Sequence, residues 1–191
     1  MSLIPTFELG LWNAWILVIS MIIIFFFDVR ATVARESGDF QLAKKEKRIL
    51  NAIPLTIIVS FVYAVFLPLQ LGTTWLYSGL LIYLFGIILT AVAVLDFASA
   101  PKNRLVTKGL YRVTRNPVYV GMLLMQIGIV VTCTSWLYLL LTVVLLILLN
   151  AILSAEERYC LYRYGDDYQK YMNKTPRWMG IPRARENNRE D

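Results

Sequence analysis

The sequence contains no histidine, only two cysteines and few charged residues. A chain without histidine lacks both the commonest general base and the commonest metal ligand. Cys133 and Cys160 lie far apart, one within an apolar block and one in a basic tail, so the sequence indicates neither a disulfide framework nor a zinc site. We therefore expect chemistry that needs no metal and no imidazole.

The shortage of charge is matched by an excess of apolar residues. Of the 191 residues, 58% are hydrophobic and 17% are charged, whereas an average soluble domain has about 45–50% and 25%. Such a chain cannot hide its apolar surface from water by folding alone. The net charge of +6 does not indicate nucleic acid, because the basic residues flank apolar blocks instead of forming a patch on a soluble face.

The apolar residues form five blocks whose lengths suit a bilayer, which takes roughly 17 to 25 residues per helix. The predicted fold is all-α, a single membrane domain over 1–191. Pro54 and Pro68 predict a kink in the second span, and Gly79, Gly86 and Ala93 recur every seven residues in the third, which favours close helix packing over a ligand groove. The predicted spans are about 11–27, 49–71, 74–95, 118–133 and 136–153, with a tight hairpin at Thr134 and Ser135.

The basic residues predict the orientation. All nineteen lysines and arginines lie in 28–48, 96–117 and 154–191, and none lies in the N-terminal lead or in the two tight turns. By the positive-inside rule, these three segments and the C-terminus are cytoplasmic. The host membrane is then the plasma membrane of a prokaryote or the endoplasmic reticulum of a eukaryote.

Two segments carry residues suited to chemistry, 101–121 and 150–182. The first is a basic loop that enters a helix at Pro117, whose free amides favour an anion. In the second, Asn150, Ser154 and Glu157 share a helix face, which places Glu157 below a polar residue already in the membrane. Either the helix continues past the two glutamates to about Tyr164, or the carboxylates have a cationic partner; solvated interfacial charge is an equal alternative for them. Tyr164, Tyr168 and Tyr171 favour interfacial packing over a cofactor pocket.

Together the two segments resemble the isoprenylcysteine carboxyl methyltransferase family and, more distantly, the related phospholipid methyltransferases. The first motif, G-x-Y-x-x-x-R-[HN]-P-x-Y-x-G, is matched by Gly109, Tyr111, Arg115, Asn116, Pro117, Tyr119 and Gly121. After the hairpin, the second is matched by Glu156, Glu157, Gly165, Tyr168, Tyr171, Pro176 and Arg177. The chain departs from the family in having Asn116 in place of histidine and Cys160 in place of leucine.

The resemblance implies a membrane methyltransferase that moves the methyl group of S-adenosylmethionine to a lipid-attached acceptor, the carboxylate of a prenylated cysteine, which enters from the bilayer. It implies a cytoplasmic cofactor pocket closed by the tail, in which Glu157, with Glu156 second, binds the cofactor's ammonium. The implied catalytic residues are Arg115, Glu157 and Arg177. The implied cofactor-binding residues are Gly109, Tyr111, Asn116, Pro117, Tyr119, Glu156 and Glu157.

Three alternatives stay open. One is a phospholipid N-methyltransferase. Another is an NADPH-dependent membrane reductase, because the run 160–165 is similar to the C-x-x-K-Y-G of sterol reductases. The last is a non-catalytic channel or scaffold. Cofactor binding separates these functions. A methyltransferase would bind S-adenosylhomocysteine, a reductase would bind NADPH, and a channel or scaffold would bind neither.

Overall fold

The structure is a computed structural model that describes residues 10–35, 43–101 and 104–179, with the backbone alone at 29 and 31–35. Within those ranges the chain forms five α-helices and one short 3-10 helix. The α-helices are α1 (Trp15–Arg35), α2 (Lys44–Val65), α3 (Thr74–Ser99), α4 (Pro117–Cys133) and α5 (Trp136–Lys174), and the 3-10 helix is Gly109–Arg112. The predicted all-α fold is thus confirmed for the described residues. The N-terminal lead, the end of the predicted segment 150–182 and part of 101–121 lie outside them.

Three of the described helices, α2, α3 and α5, are long and apolar enough to cross a membrane. The apolar stretches Trp15–Asp28 and Pro117–Cys133 are shorter. The chain is therefore a helical membrane protein, while the count of five spans and the cytoplasmic C-terminus stay predictions. Large side chains such as Phe26, Leu81 and Ile147 are more than half exposed on the outer faces of the bundle, where lipid would cover them.

The second predicted span, 49–71, was wrong at its C-terminal end, because α2 stops at Val65. Pro68 disfavours a helical conformation for the preceding Leu67 and lacks an amide hydrogen for a further helical bond. Residues 66–71 instead pair with the chain before α1. The Ala14 amide donates to the Leu67 carbonyl at 2.9 Å, and the Leu69 amide donates to the Trp12 carbonyl at 3.0 Å. Pro68 therefore lies beyond the helix and cannot kink it.

The hairpin between α4 and α5 is as tight as predicted. Thr134 caps α4 in the left-handed region with a φ of 50°. Ser135 then begins α5, because its hydroxyl accepts a hydrogen bond from the Tyr138 amide at 3.2 Å. The two polar residues thus satisfy backbone groups that the ends of two apolar helices would otherwise leave open.

The predicted small-residue face of α3 packs directly on α4. Gly79, Gly86 and Ala93 are buried. A Cβ at Gly86 would lie 2.8 Å from the Gly121 carbonyl oxygen and 2.8 Å from the Met125 nitrogen, so the two backbones approach more closely than side chains would allow. This contact holds α4 in place, and α4 begins directly after Arg115 and Asn116 of the first motif.

We expect Gly79→Ala to destabilise the bundle. Its Cβ would lie 2.5 Å from the Thr132 nitrogen and 2.7 Å from the Gly128 carbonyl oxygen, and backbone atoms cannot rotate away. The helices must separate, at a cost of about 1–3 kcal/mol in the free energy of unfolding. Unfolding in detergent measures this loss, with Ser78→Ala on the exposed neighbouring position as the control. Equal stability of the two variants would show that this contact is not tight.

Candidate active site

The residues of the two motifs meet at one end of the bundle around a cavity of about 320 Å³. This volume is at the lower end of the range for small-molecule pockets, about 300–1,000 Å³. Six of the predicted site residues line the cavity: Tyr111, Arg115, Asn116, Tyr119, Glu156 and Glu157. The structure therefore brings together segments that are about forty residues apart in the sequence.

Glu157 is the centre of a buried ion cluster. Its Oε1 lies 3.0 Å from Arg115 Nη2 and accepts a hydrogen bond from Arg177 Nε at 3.0 Å. Its Oε2 accepts a hydrogen bond from Arg177 Nη2. The side chains of Glu157 and Arg115 are only 8% and 10% exposed, so the pair is largely withdrawn from water. The sequence left two possibilities open, a cationic partner for the glutamates or a helix that continues past them. Glu157 has two cationic partners, and α5 also continues past the glutamates to Lys174.

Arg177 connects the tail to α5. Its Nη1 donates to Ser154 Oγ at 3.3 Å and to Asn150 Oδ1 at 3.5 Å, so the predicted polar face of α5 is the surface that receives it. Its hydrogen bonds to Glu157 raise the pKa of the guanidinium above its ordinary value, so Arg177 stays charged. Arg177 is not among the residues that line the cavity.

The tail is also held at its backbone. The Arg115 amide donates to the Pro176 carbonyl at 2.9 Å. Asn116 Nδ2 donates to the Arg177 carbonyl at 2.9 Å, and Thr114 Oγ1 donates to the same oxygen at 3.1 Å. Asn116 therefore acts as a hydrogen-bond donor to backbone, a role that the histidine of the resembled family could fill with either ring nitrogen.

The other motif residues shape the cavity. Tyr119 donates its hydroxyl to Glu156 Oε1 at 3.0 Å. Gly109 has a φ of +60°, and a Cβ there would overlap the Asp96 carboxylate, which accepts a hydrogen bond from the Leu110 amide at 2.9 Å. Pro117 is buried at the first turn of α4. Gly109 and Pro117 do not line the cavity, so they set the backbone path beside it.

The tyrosines after the glutamate pair lie at the cavity. Gly165, with a φ of 52° and a ψ of −128°, bends α5 back over the cavity. Tyr164, Tyr168 and Tyr171 all line the cavity, and the Tyr171 hydroxyl donates to the Tyr111 carbonyl at 2.6 Å. The expectation of interfacial packing was therefore wrong, because the change of direction at Gly165 could not be read from helical spacing.

Three features of the site were missed in the sequence. Asp28 of α1 and Leu50 of α2 line the cavity, although neither of the two motifs includes them. Arg115 carries two buried nitrogens, Nε and Nη1, with no hydrogen-bond partner among the described residues. No motif pointed to Asp28, although an acidic residue at the end of an apolar block was a usable signal.

Two comparisons bear on the family. Residues 75–167 match the phospholipid methyltransferase family model. The protein-S-isoprenylcysteine O-methyltransferase of Schizosaccharomyces pombe is 25% identical to the chain over 144 residues, which cover 73% of the chain and 59% of that relative. The match thus spans about three fifths of the relative's length. No solved structure matches the chain. The two matches confirm the resemblance that the motifs indicated.

We expect Arg177→Gln to loosen the tail. The change removes both contacts to Glu157, which then keeps only Arg115, and should lower the free energy of unfolding by about 1–3 kcal/mol. Trypsin should also cleave faster at Lys170 and Lys174. The control is Arg158→Gln, whose partner is Glu46 and whose side chain is 60% exposed, so its loss of stability should be much smaller. Equal effects of the two variants would contradict a buried cluster.

Proposed function

On the premise that the chain is a membrane methyltransferase, the family that both matches support, we propose that it methylates the carboxylate of a prenylated cysteine with S-adenosylmethionine. The observation that carries this proposal is the Arg115 guanidinium. Two of its buried nitrogens have no hydrogen-bond partner among the described residues, which costs free energy. Arg115 also lines the cavity, and a carboxylate bound beside it would match a guanidinium in both charge and shape.

The residues around the cavity fit the cofactor. Glu156 and Glu157 supply carboxylate oxygens for an ammonium, and Tyr111 and Tyr119 supply aromatic surface for an adenine. The sequence ranked Glu157 first, but both of its oxygens already accept hydrogen bonds from arginine. We therefore assign the ammonium first to Glu156, with Glu157 second, and assign to Glu157 the positioning of Arg115. Asn116, Gly109 and Pro117 support this wall without needing to touch the ligand.

The transfer is balanced without a base. When bound, S-adenosylmethionine supplies a methyl group whose bond to sulfur breaks with the electron pair staying on sulfur, while a bond forms from the acceptor oxygen to the methyl carbon. No proton leaves, because a carboxylate is already ionised above about pH 5. Arg115 holds the acceptor, and the tyrosines bent over the cavity by Gly165 exclude water. Alignment of two bound reactants can supply roughly 7 to 11 kcal/mol.

The acceptor's apolar chain remains in the bilayer in this proposal. Asp28 and Leu50 bring the C-terminal half of α1 and the N-terminal half of α2 to the cavity wall. The outer faces of these helices carry exposed Phe25, Phe26 and Leu55. A prenyl chain would lie against such surface while its polar end reaches the cavity. With the positive-inside rule, the site then faces the cytoplasm of a multi-pass membrane protein.

A second function has its own support. The phospholipid methyltransferase match favours N-methylation of a phospholipid amine, and Asp28 and Glu156 would attract its cationic headgroup. A reductase is less well supported, because both matches are to methyltransferases. Transfer of radiolabelled methyl groups to prenylcysteine and to phosphatidylethanolamine distinguishes the carboxyl methyltransferase from the phospholipid methyltransferase. A comparison of S-adenosylhomocysteine and NADPH binding distinguishes both from a reductase.

Glu156→Gln should weaken binding of S-adenosylhomocysteine by roughly 1.5–3 kcal/mol, the scale of a hydrogen bond to a charged group. Calorimetry on the detergent-solubilised protein measures the change. Glu46→Gln, in the surface pair with Arg158, is the matched control and should bind as the wild type does. If both variants bind equally well, the ammonium does not lie at Glu156.

The rate of methyl transfer should be nearly independent of pH from 6 to 8. The acceptor carboxylate is ionised throughout this range, and the chain has no histidine to titrate in it. Single-turnover rates with both substrates saturating measure the chemical step. A tenfold rise per pH unit would reveal that a proton must leave the acceptor, which would favour an amine and contradict the carboxylate.

A further inference from the structure

Asp28 is a carboxylate at the cavity wall that no part of the proposed mechanism uses. It lies on α1, at the end of the apolar stretch Trp15–Asp28, and it lines the same cavity as Arg115 and Glu156. Its side chain is half-buried, and it forms no hydrogen bond or ion pair with any described residue. A carboxylate at the edge of the bilayer without a partner is costly and is a functional candidate by default.

The position of Asp28 associates it with the acceptor and not with the cofactor. The motifs assigned to the cofactor lie on α4, on α5 and in the segment before α4. Asp28 lies outside the residues 75–167 that match the methyltransferase model. On α1 it follows directly after the exposed Phe25, Phe26 and Phe27, which a lipid chain would contact. A ligand that comes from the bilayer along α1 therefore reaches Asp28 at its polar end.

The cavity is lined by side chains of opposite charge. Arg115 lines it with a largely buried side chain, and the Asp28 carboxylate accepts no hydrogen bond from any described residue. A ligand that contacts both must present an anionic acceptor to Arg115 and an N–H donor to Asp28. A C-terminal cysteine does so on a single carbon, because its carboxylate and its acylated nitrogen are both attached to Cα.

We propose that Asp28 is a specificity-determining residue that accepts a hydrogen bond from the backbone N–H of the prenylated cysteine while Arg115 holds its carboxylate. This inference rests on the proposed function. Asp28 only accepts the hydrogen bond, so the proton stays on the amide nitrogen and the methyl transfer is unchanged. The residue selects an acylated α-amino acid over a lipid carboxylate that lacks the nitrogen.

Two acceptors that differ only in that nitrogen test the role of Asp28. They are N-acetyl-S-farnesylcysteine and S-farnesyl-3-mercaptopropionate, which lacks the acetylamino group. Equilibrium binding to the full-length protein in detergent and kcat/KM for methyl transfer are measured for both. Loss of a hydrogen bond to a charged group is expected to cost roughly ten- to hundredfold, so the wild type should prefer the cysteine by about that factor.

Asp28→Leu should remove the preference by weakening the binding of N-acetyl-S-farnesylcysteine alone. Asp28→Asn, which keeps a neutral acceptor oxygen, should have an intermediate effect. Both variants should bind S-adenosylhomocysteine as the wild type does. Asp166→Asn, at an exposed position of α5 that does not line the cavity, is the control and should keep the full preference.

Three results would overturn the role of Asp28. The preference could survive in Asp28→Leu. Asp28→Leu could bind both acceptors and S-adenosylhomocysteine equally weakly, which would assign Asp28 to the cofactor. Or Asp28→Leu could affect phosphatidylethanolamine alone, which would assign it to a lipid amine. Failure of the wild type to bind S-adenosylhomocysteine at all would instead refute the proposed function, and the inference with it.

Discussion

One buried carboxylate holds together the three parts of the chain that form the site. Glu157 of α5 binds Arg115, which precedes α4, and Arg177, which belongs to the tail. Two guanidinium groups around one carboxylate leave the cluster with a positive charge, and an uncompensated charge is costly away from water. The Arg115 nitrogens without partners lie in this cluster. Arg115 therefore belongs both to the contacts that hold the three segments together and to the cavity wall.

The packing of α4 on α3 positions residues of this cluster. The glycines that bring α3 and α4 into backbone contact lie along the apolar length of the helices, away from the charged end. They fix where α4 begins, and Arg115 and Asn116 lie directly before that point. The bend at Gly165 then returns the chain over the start of α4. Apolar packing therefore decides the place of the site, and the polar contacts decide its internal geometry.

The sequence predicted those features that depend on local patterns. Helical spacing placed Asn150, Ser154 and Glu157 on one face, and the structure shows that face receiving Arg177. The features that the sequence analysis missed depend on contacts between distant segments. Which arginine binds Glu157 is a question of tertiary geometry that spacing cannot answer. Asp28 was missed because no motif surrounds it. Only the folded chain brings it to the same cavity as Arg115 and Glu156, which are more than seventy positions away in the sequence.

Asn116, which stands where the resembled family has histidine, holds the backbone of the tail. Its side chain donates one hydrogen bond to the Arg177 carbonyl, beside the bond from Thr114 to the same oxygen. This contact requires a donor at the right place and not a group that titrates near neutral pH. A reaction whose nucleophile is already ionised has no step for such a group to catalyse. For the transfer proposed above, the hydrogen bond of Asn116 and a chain without histidine both suit a site that holds its reactants and moves no proton.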